Sequence, residues 1–290
     1  MEFRLLSDIA EYCHTEGKDF AQAMLDYEMR NKNLTREQVY ASLKQILLVM
    51  EESVEQGLTQ QVVSPSGMLN NWAKQIYEHP LGALGPQLQK AIARAIAVGE
   101  VNACMGRIAA APTAGSAGIM PAVLVTMMEE HRLSRERILD ALLVSSAVGL
   151  IFARNSSFAG SEAGCMGETG SAAAMGAASI TYLLGGNEEQ ILEAVGFALK
   201  GSMGLVCDPV AGLVEEPCTT RNAVGVANAF VSAQMALSGI KSLIPADEVI
   251  FATKEVGDLM SPRLKESAQG GLANTKTGRE IQKRVFKQSD

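Results

Sequence analysis

Aromatic side chains are scarce in this 290-residue chain, at 5% of the total with a single tryptophan. Stretches in which β-branched and polar residues alternate are scarcer still, and a half-buried strand needs that period of two. The composition therefore favours helices. No dense Lys/Arg block interrupts the balance of 25 basic against 32 acidic residues. Nucleic-acid binding needs a basic stripe to neutralise phosphates, so that class of partner is excluded. The most apolar segment, Ala141 to Ala153, has thirteen residues with Ser145 and Ser146 among them. A bilayer span takes ~18–20, so this segment predicts a buried helix and no membrane association. Met1 to Ala10 lacks a basic stretch followed by an apolar core, so no signal peptide is expected. The expected compartment is the cytoplasm, which is reducing. Also missing is any CxxC pair. Five cysteines, an odd number, in a reducing compartment argue against a disulfide framework and for thiols, metal ligands or a nucleophile.

What the chain does have is Ala, Leu, Met and Gly, with 47% hydrophobic and 20% charged residues, the balance of a globular protein. The expected fold is all-α, with buried small-residue-rich helices surrounded by amphipathic ones. Residues 1–60 read as two or three amphipathic helices. Thr35-Arg-Glu-Gln38 has the form of a capping box, and Val39, Leu43, Ile46, Leu47 and Met50 fall on one helical face behind it. Val62-Val-Ser-Pro-Ser-Gly67 then interrupts the helical pattern. From about residue 86 to 240, long apolar segments alternate with glycine-bearing breaks, and helices apolar nearly all round belong in an interior. The chain reads as one unit, 1–290: N-terminal helices over 1–60, a core over 64–273 and a polar, peripheral tail over 276–290.

Cys165 lies in Gly164-Cys-Met-Gly-Glu168, Cys207 in Gly204-Leu-Val-Cys-Asp-Pro209 and Cys218 in Glu216-Pro-Cys-Thr-Thr-Arg-Asn222. Each stands by Gly or Pro, at an expected turn or helix end, where backbone N–H groups can face a thiolate. Cys13 and Cys104, among apolar helical neighbours, read as small buried hydrophobes. For the other three, spacing alone leaves both readings open, since it matches neither structural zinc sites nor common ferredoxin patterns.

Four segments add to this: Ala111-Pro-Thr-Ala-Gly-Ser-Ala-Gly-Ile-Met-Pro121, Gly160-Ser-Glu-Ala-Gly-Cys-Met-Gly-Glu168, Cys207-Asp-Pro-Val-Ala-Gly-Leu-Val-Glu-Glu-Pro-Cys-Thr-Thr-Arg-Asn222 and Gly270-Gly-Leu-Ala273. In this order they resemble the catalytic part of iron–sulfur L-serine dehydratases, from about Ser64 to Ala273. In size, and in lacking an attached regulatory domain, the chain resembles the α subunit of the two-subunit bacterial form. The resemblance implies an all-helical catalytic domain and a [4Fe–4S] cluster on Cys165, Cys207 and Cys218, with one iron left open. That iron would act as a Lewis acid in converting L-serine to pyruvate and ammonia. No lysine resembles one set up for a pyridoxal-phosphate Schiff base. Single-chain relatives carry a cysteine at the extreme C-terminus that can cap the open iron, whereas this sequence ends Phe286-Lys-Gln-Ser-Asp290.

Ser64, Ser66, Thr113 and Ser116 sit in glycine-bearing turns suited to a small zwitterion, or to ordinary turn chemistry. Glu162 and Glu168 stand three residues either side of Cys165. A continuous helix would put all three on one face, where the carboxylates could be base, ammonium partner or support. Arg221 could pair a substrate carboxylate bidentately, or hold Asp208 or Glu216. His14, His79 and His131 lie outside the motifs, so no histidine base is evident, and a separate β subunit is the expected source of the rest of the pocket. Two other functions compete: a cysteine desulfidase-like elimination on the same kind of cluster, and a non-catalytic iron–sulfur sensor or redox module. A packed helical assembly scaffold, indifferent to all three cysteines, is a further alternative.

Overall fold

The computed structural model describes residues 2–79 and 82–286. Its α-helices are α1 (Leu6–Glu16), α2 (Phe20–Lys32), α3 (Arg36–Thr59), α4 (Trp72–Glu78), α5 (Pro86–Ala103), α6 (Ile119–Glu130) and α7 (Arg135–Asn155), followed by α8 (Gly160–Cys165), α9 (Ser171–Leu183), α10 (Glu188–Ser202), α11 (Cys218–Leu237), α12 (Ala246–Leu259) and α13 (Lys276–Phe286). Among the described residues there is no strand, only two isolated bridges, Val63 with Asn70 and Cys207 with Lys265. The all-α expectation holds. No helix among them is long and apolar enough to cross a membrane.

The N-terminal helices form as the local signals dictate. Thr35 caps α3, with the Gln38 N–H donating to Thr35 Oγ1 and the Thr35 N–H donating to Gln38 Oε1, so two orphan donors of the first turn are satisfied reciprocally. Val39, Leu43, Leu47 and Met50 are buried along α3. Ile46, expected on the same face, is exposed instead, because it lies at the edge of that stripe and lines a surface cleft of about 500 Å³ with Leu43 and Leu150.

At the centre is α9, every residue of which is buried. It packs against α6, α7, α10 and α11. Its sequence, Ser171-Ala-Ala-Ala-Met-Gly-Ala-Ala-Ser-Ile-Thr-Tyr-Leu183, is dominated by small residues in its first nine positions, so neighbours approach closely there. A Cβ added to Gly176 would stand 3.2 Å from both Ala229 Cβ and Val123 Cγ2. The apolar segment of α7 is largely buried as well, with Phe152 stacked on Phe158 at 5.4 Å between centroids. The C-terminal helix α13 buries little beyond Gly278, as expected of a polar tail, yet it packs on the turns Val210–Gly212 and Gly271–Asn274. The last four residues of the expected tail lie outside the described residues.

Candidate metal centre

Cys165 owes its position to the residue before it. Gly164 has φ 65°, a value cheap only for glycine, and a Cβ there would come within 2.8 Å of the Leu205 carbonyl oxygen. The kink ends α8, and the chain continues as a π-helical turn, Met166–Gly170, a local geometry frequent at functional sites. This turn buries Glu168, which is 9% exposed. The kink also breaks the helical continuity on which the expected shared face of Glu162, Cys165 and Glu168 depended, and Glu162 is exposed on α8.

Cys207 is pinned by main chain. Its N–H donates to the Leu264 carbonyl at 2.9 Å, and its own carbonyl accepts from the Glu266 N–H at 2.8 Å. Cys218 is the first residue of α11. One turn on, Asn222 Nδ2 donates to the carbonyls of Cys218 at 2.7 Å and Gly115 at 2.6 Å, and Asn222 Oδ1 accepts from the Gly118 N–H at 2.9 Å. The Ala111–Pro121 and Cys207–Asn222 motifs are thus tied together by one amide side chain.

The sulfurs of Cys165 and Cys207 and a carboxylate oxygen of Glu168 lie within 4.8 Å of one another, and all three residues are buried. Cys218 is buried beside this trio, near enough to feel the charge on Cys165. A hydrogen bond from Cys207, and then the Arg221 guanidinium, favours the thiolate on Cys165 and lowers its pKa against the effect of burial. Giving that bond, together with burial, pushes Cys207 up, and burial pushes Cys218 up. The pair therefore releases one proton readily and the second with difficulty. A bound cation would reverse the second effect, because a coordinating thiol is deprotonated outright. Burial also raises Glu168, ahead of a Thr113 hydrogen bond that lowers it and the nearby Glu266 charge that raises it.

Arg221 is fully engaged. Nη1 donates to the Val206 carbonyl at 2.9 Å and lies 3.4 Å from Cys165 Sγ, while Nη2 pairs with Asp208 Oδ1 at 2.7 Å. That contact is an ion pair without an aligned hydrogen bond to Oδ1. Asp208 Oδ2 accepts from the Leu272 N–H at 2.7 Å. Gly271, at φ 57°, leaves no room for a Cβ against the same carboxylate, and a Cβ on Gly270 would stand 2.7 Å from the Arg263 carbonyl oxygen, which explains the paired glycines of Gly270-Gly-Leu-Ala273. Of the two partners expected for Arg221, it takes Asp208, and Glu216 bonds Thr220 instead. Thr113 Oγ1 and Ser116 Oγ lie 3.1 Å apart. Ser64 Oγ is 3.3 Å from Ser66 Oγ, which donates to Glu215. His14, His79 and His131 are all exposed, on α1 and at the C-terminal ends of α4 and α6. Cys13 is buried, and burial lifts its thiol to about 12. Cys104, expected to be a buried hydrophobe on a helical face, is only half-buried, since it caps the end of α5 with Sγ 3.3 Å from the Val63 carbonyl.

Residues 15–273 match the family described as "Serine dehydratase alpha chain". The chain belongs to that family. It is 43% identical to "L-serine dehydratase, alpha chain" of Peptoniphilus asaccharolyticus over 98% of each chain. It is 42% identical to "Probable L-serine dehydratase, alpha chain" of Bacillus subtilis (strain 168), over 98% of this chain and 95% of the relative. "L-serine dehydratase TdcG" of Escherichia coli (strain K12) is 33% identical over 94% of this chain, which spans only 62% of that longer relative.

At this candidate site of a serine dehydratase alpha-chain family member, the sequence did not mark Glu266. It follows no motif and no periodicity, and only the bridge between Cys207 and Lys265 brings it to the thiols. Asn222 stood inside a quoted motif, but its role as a tie between two segments required the fold.

Proposed function

We propose that this chain is the catalytic α chain of an iron–sulfur L-serine dehydratase, removing water from L-serine and releasing pyruvate and ammonia. The carrying observation is the convergence of two buried thiols and a buried carboxylate on one small space. A Cβ on Gly160 would stand 3.0 Å from Cys207 Sγ and 3.0 Å from Glu168 Oε2, so the absence of a side chain there leaves a cradle. Soft thiolates in a reducing compartment suit iron–sulfur clusters, and the donor set fits that group. Cys165, Cys207 and Cys218 would hold a [4Fe–4S] cluster, with one iron lacking a protein ligand. When bound, it supplies Lewis acidity that eases departure of the β-hydroxyl.

The remaining work falls to the chain's own residues. Glu168 Oε2 accepts the Cα proton, and burial, which raises its affinity for a proton, suits it to that task. Thr113 holds the Glu168 carboxylate in place. Ser64, Ser66, Thr113 and Ser116 bind the zwitterion, and Arg221, engaged with Cys165 and Asp208, balances the charge of the thiolates. Loss of the proton and the hydroxyl leaves aminoacrylate, which tautomerises and hydrolyses to the products. Residues 1–290 act as one catalytic unit in the cytoplasm. A β subunit completes the pocket, since no histidine stands at the site.

An anaerobic preparation tests the reading. A brown protein containing iron and sulfide, whose visible or EPR spectrum shifts with L-serine and which makes pyruvate, is expected. Pyruvate from a colourless, metal-free protein would defeat it. Full turnover by the α chain alone would sink the β-subunit part.

A further inference from the structure

No quoted motif accounts for Glu266, a carboxylate at this site. Its N–H is fixed to the Cys207 carbonyl at 2.8 Å. Its side chain returns to the same cradle, for a Cβ on Gly160 would stand 3.2 Å from Glu266 Oε2, beside Glu168 Oε2 and Cys207 Sγ. Two carboxylates and a thiol thus face one space. Arg221 is already committed to Asp208 and the Val206 carbonyl, with Nη1 3.4 Å from Cys165 Sγ. Among the described residues Glu266 enters no ion pair. Like charges brought together without a counter-charge disfavour one another, and a cation between them removes the penalty. The two carboxylates differ in setting: Glu168 is buried, whereas Glu266 is exposed. A ligand entering from solvent therefore meets Glu266 before it reaches Glu168.

We propose that Glu266 binds the α-ammonium of the amino-acid substrate at the mouth of the site, leaving the buried Glu168 to the Cα proton. The assignment rests on the reaction proposed above and divides its two carboxylates by role. It also makes Glu266 a determinant of specificity: a hydroxy acid with the same carboxylate and hydroxyl but no ammonium gains nothing from it.

The test compares the anaerobically reconstituted enzyme with its Glu266→Gln and Glu266→Asp variants, using L-serine and 3-hydroxypropanoate as probes. A charge-assisted contact of this kind corresponds to about a tenfold to hundredfold change in affinity. In Glu266→Gln, the KM for L-serine and its dissociation constant from calorimetry should rise by about tenfold or more, with kcat changed far less. The affinity for 3-hydroxypropanoate and the iron content should stay at wild-type values, and Glu266→Asp should recover part of the serine affinity. Equal weakening of both probes, loss of iron, or an unchanged serine affinity would each overturn the assignment. A wild-type enzyme that binds L-serine without making pyruvate, while Glu266→Gln loses that binding, would defeat the reaction and leave the ammonium site standing.

Discussion

The helical interior around α9 and the cysteine-bearing segments around it are built on opposite rules. In α9 every residue is buried, and most of its contacts are made by Ala, Gly and Ser, with Met175, Ile180, Tyr182 and Leu183 filling the core around them. Close packing of apolar surface stabilises such a region, and each lost methylene is felt. The site segments instead bury groups that would prefer water: Glu168, Asp208, Thr219 and Asn222 are all buried. These segments are tied by hydrogen bonds between residues far apart in the chain, from Asn222 Nδ2 to the Gly115 carbonyl and from the Leu272 N–H to Asp208 Oδ2, while the buried Thr219 hydroxyl has no partner. Their backbone is bent, with positive φ at Gly164, Ala211, Glu266 and Gly271. On the function proposed above, stability resides in the first region and chemistry in the second, so substitutions in the two should damage different observables.

The largest effect is expected at the thiols. Cys165→Ala, Cys207→Ala and Cys218→Ala should each lose bound iron and reduce pyruvate formation to background, with far-UV circular dichroism unchanged. Cys13→Ala and Cys104→Ala should keep both iron and activity. Equal loss across all five variants would mean the ligands were misassigned and that the site shares the stability of the interior.

Next comes a crossed pair. Gly160 is the first residue of α8 and is not among the positive-φ glycines, so its backbone accepts alanine, which helix propensity favours by up to about 1 kcal/mol. Its Cβ, however, would stand 3.0 Å from Cys207 Sγ. Gly160→Ala should therefore sharply lower iron content and turnover, while the melting temperature of the metal-free protein falls far less than in Phe152→Ala. Phe152→Ala should do the reverse. It removes a fully buried ring stacked on Phe158, at a cost of about 3–5 kcal/mol, while activity per bound iron stays near wild type at temperatures where the variant is folded. If both variants lose stability and activity together, the division between regions is wrong.

The same division sets what could be read in the sequence. The α3 cap and the buried α7 segment follow from local rules, because neighbours in the chain decide them. The cysteines were marked by motif and by their Gly and Pro neighbours. Glu266 was illegible, since its place depends on a main-chain pairing with Cys207 across a segment that contains α11 and α12. The face expected for Glu162 failed at Gly164, where one left-handed residue undoes the helical spacing. Motif glycines announce that something approaches closely without saying what: at Gly271 it is Asp208, and at Gly160 it is the site itself.

The smallest expected effect concerns a carboxylate on the interior side. Glu100, on α5, is fully buried and caps α4 from a distance, accepting from the Trp72 N–H at 2.7 Å and the Ala73 N–H at 3.2 Å. Asn71, which stands at the cap position, makes no side-chain cap bond to α4 and accepts instead from the Val62 N–H. Burial raises the Glu100 pKa and outweighs the two backbone bonds that lower it. The folded chain therefore holds this proton more tightly than the unfolded chain, whose value is about 4.3. The Glu100 contribution is fully present below that pH and is lost as pH rises through the raised folded value. In urea titrations of the metal-free protein from pH 4 upward, this group should add a downward slope to stability of at most about 1.4 kcal/mol per pH unit. Glu100→Gln should remove that component, while its effect on iron content should be small. An identical pH dependence in the variant would mean that the two N–H bonds offset burial in full, and that a buried carboxylate costs this interior nothing.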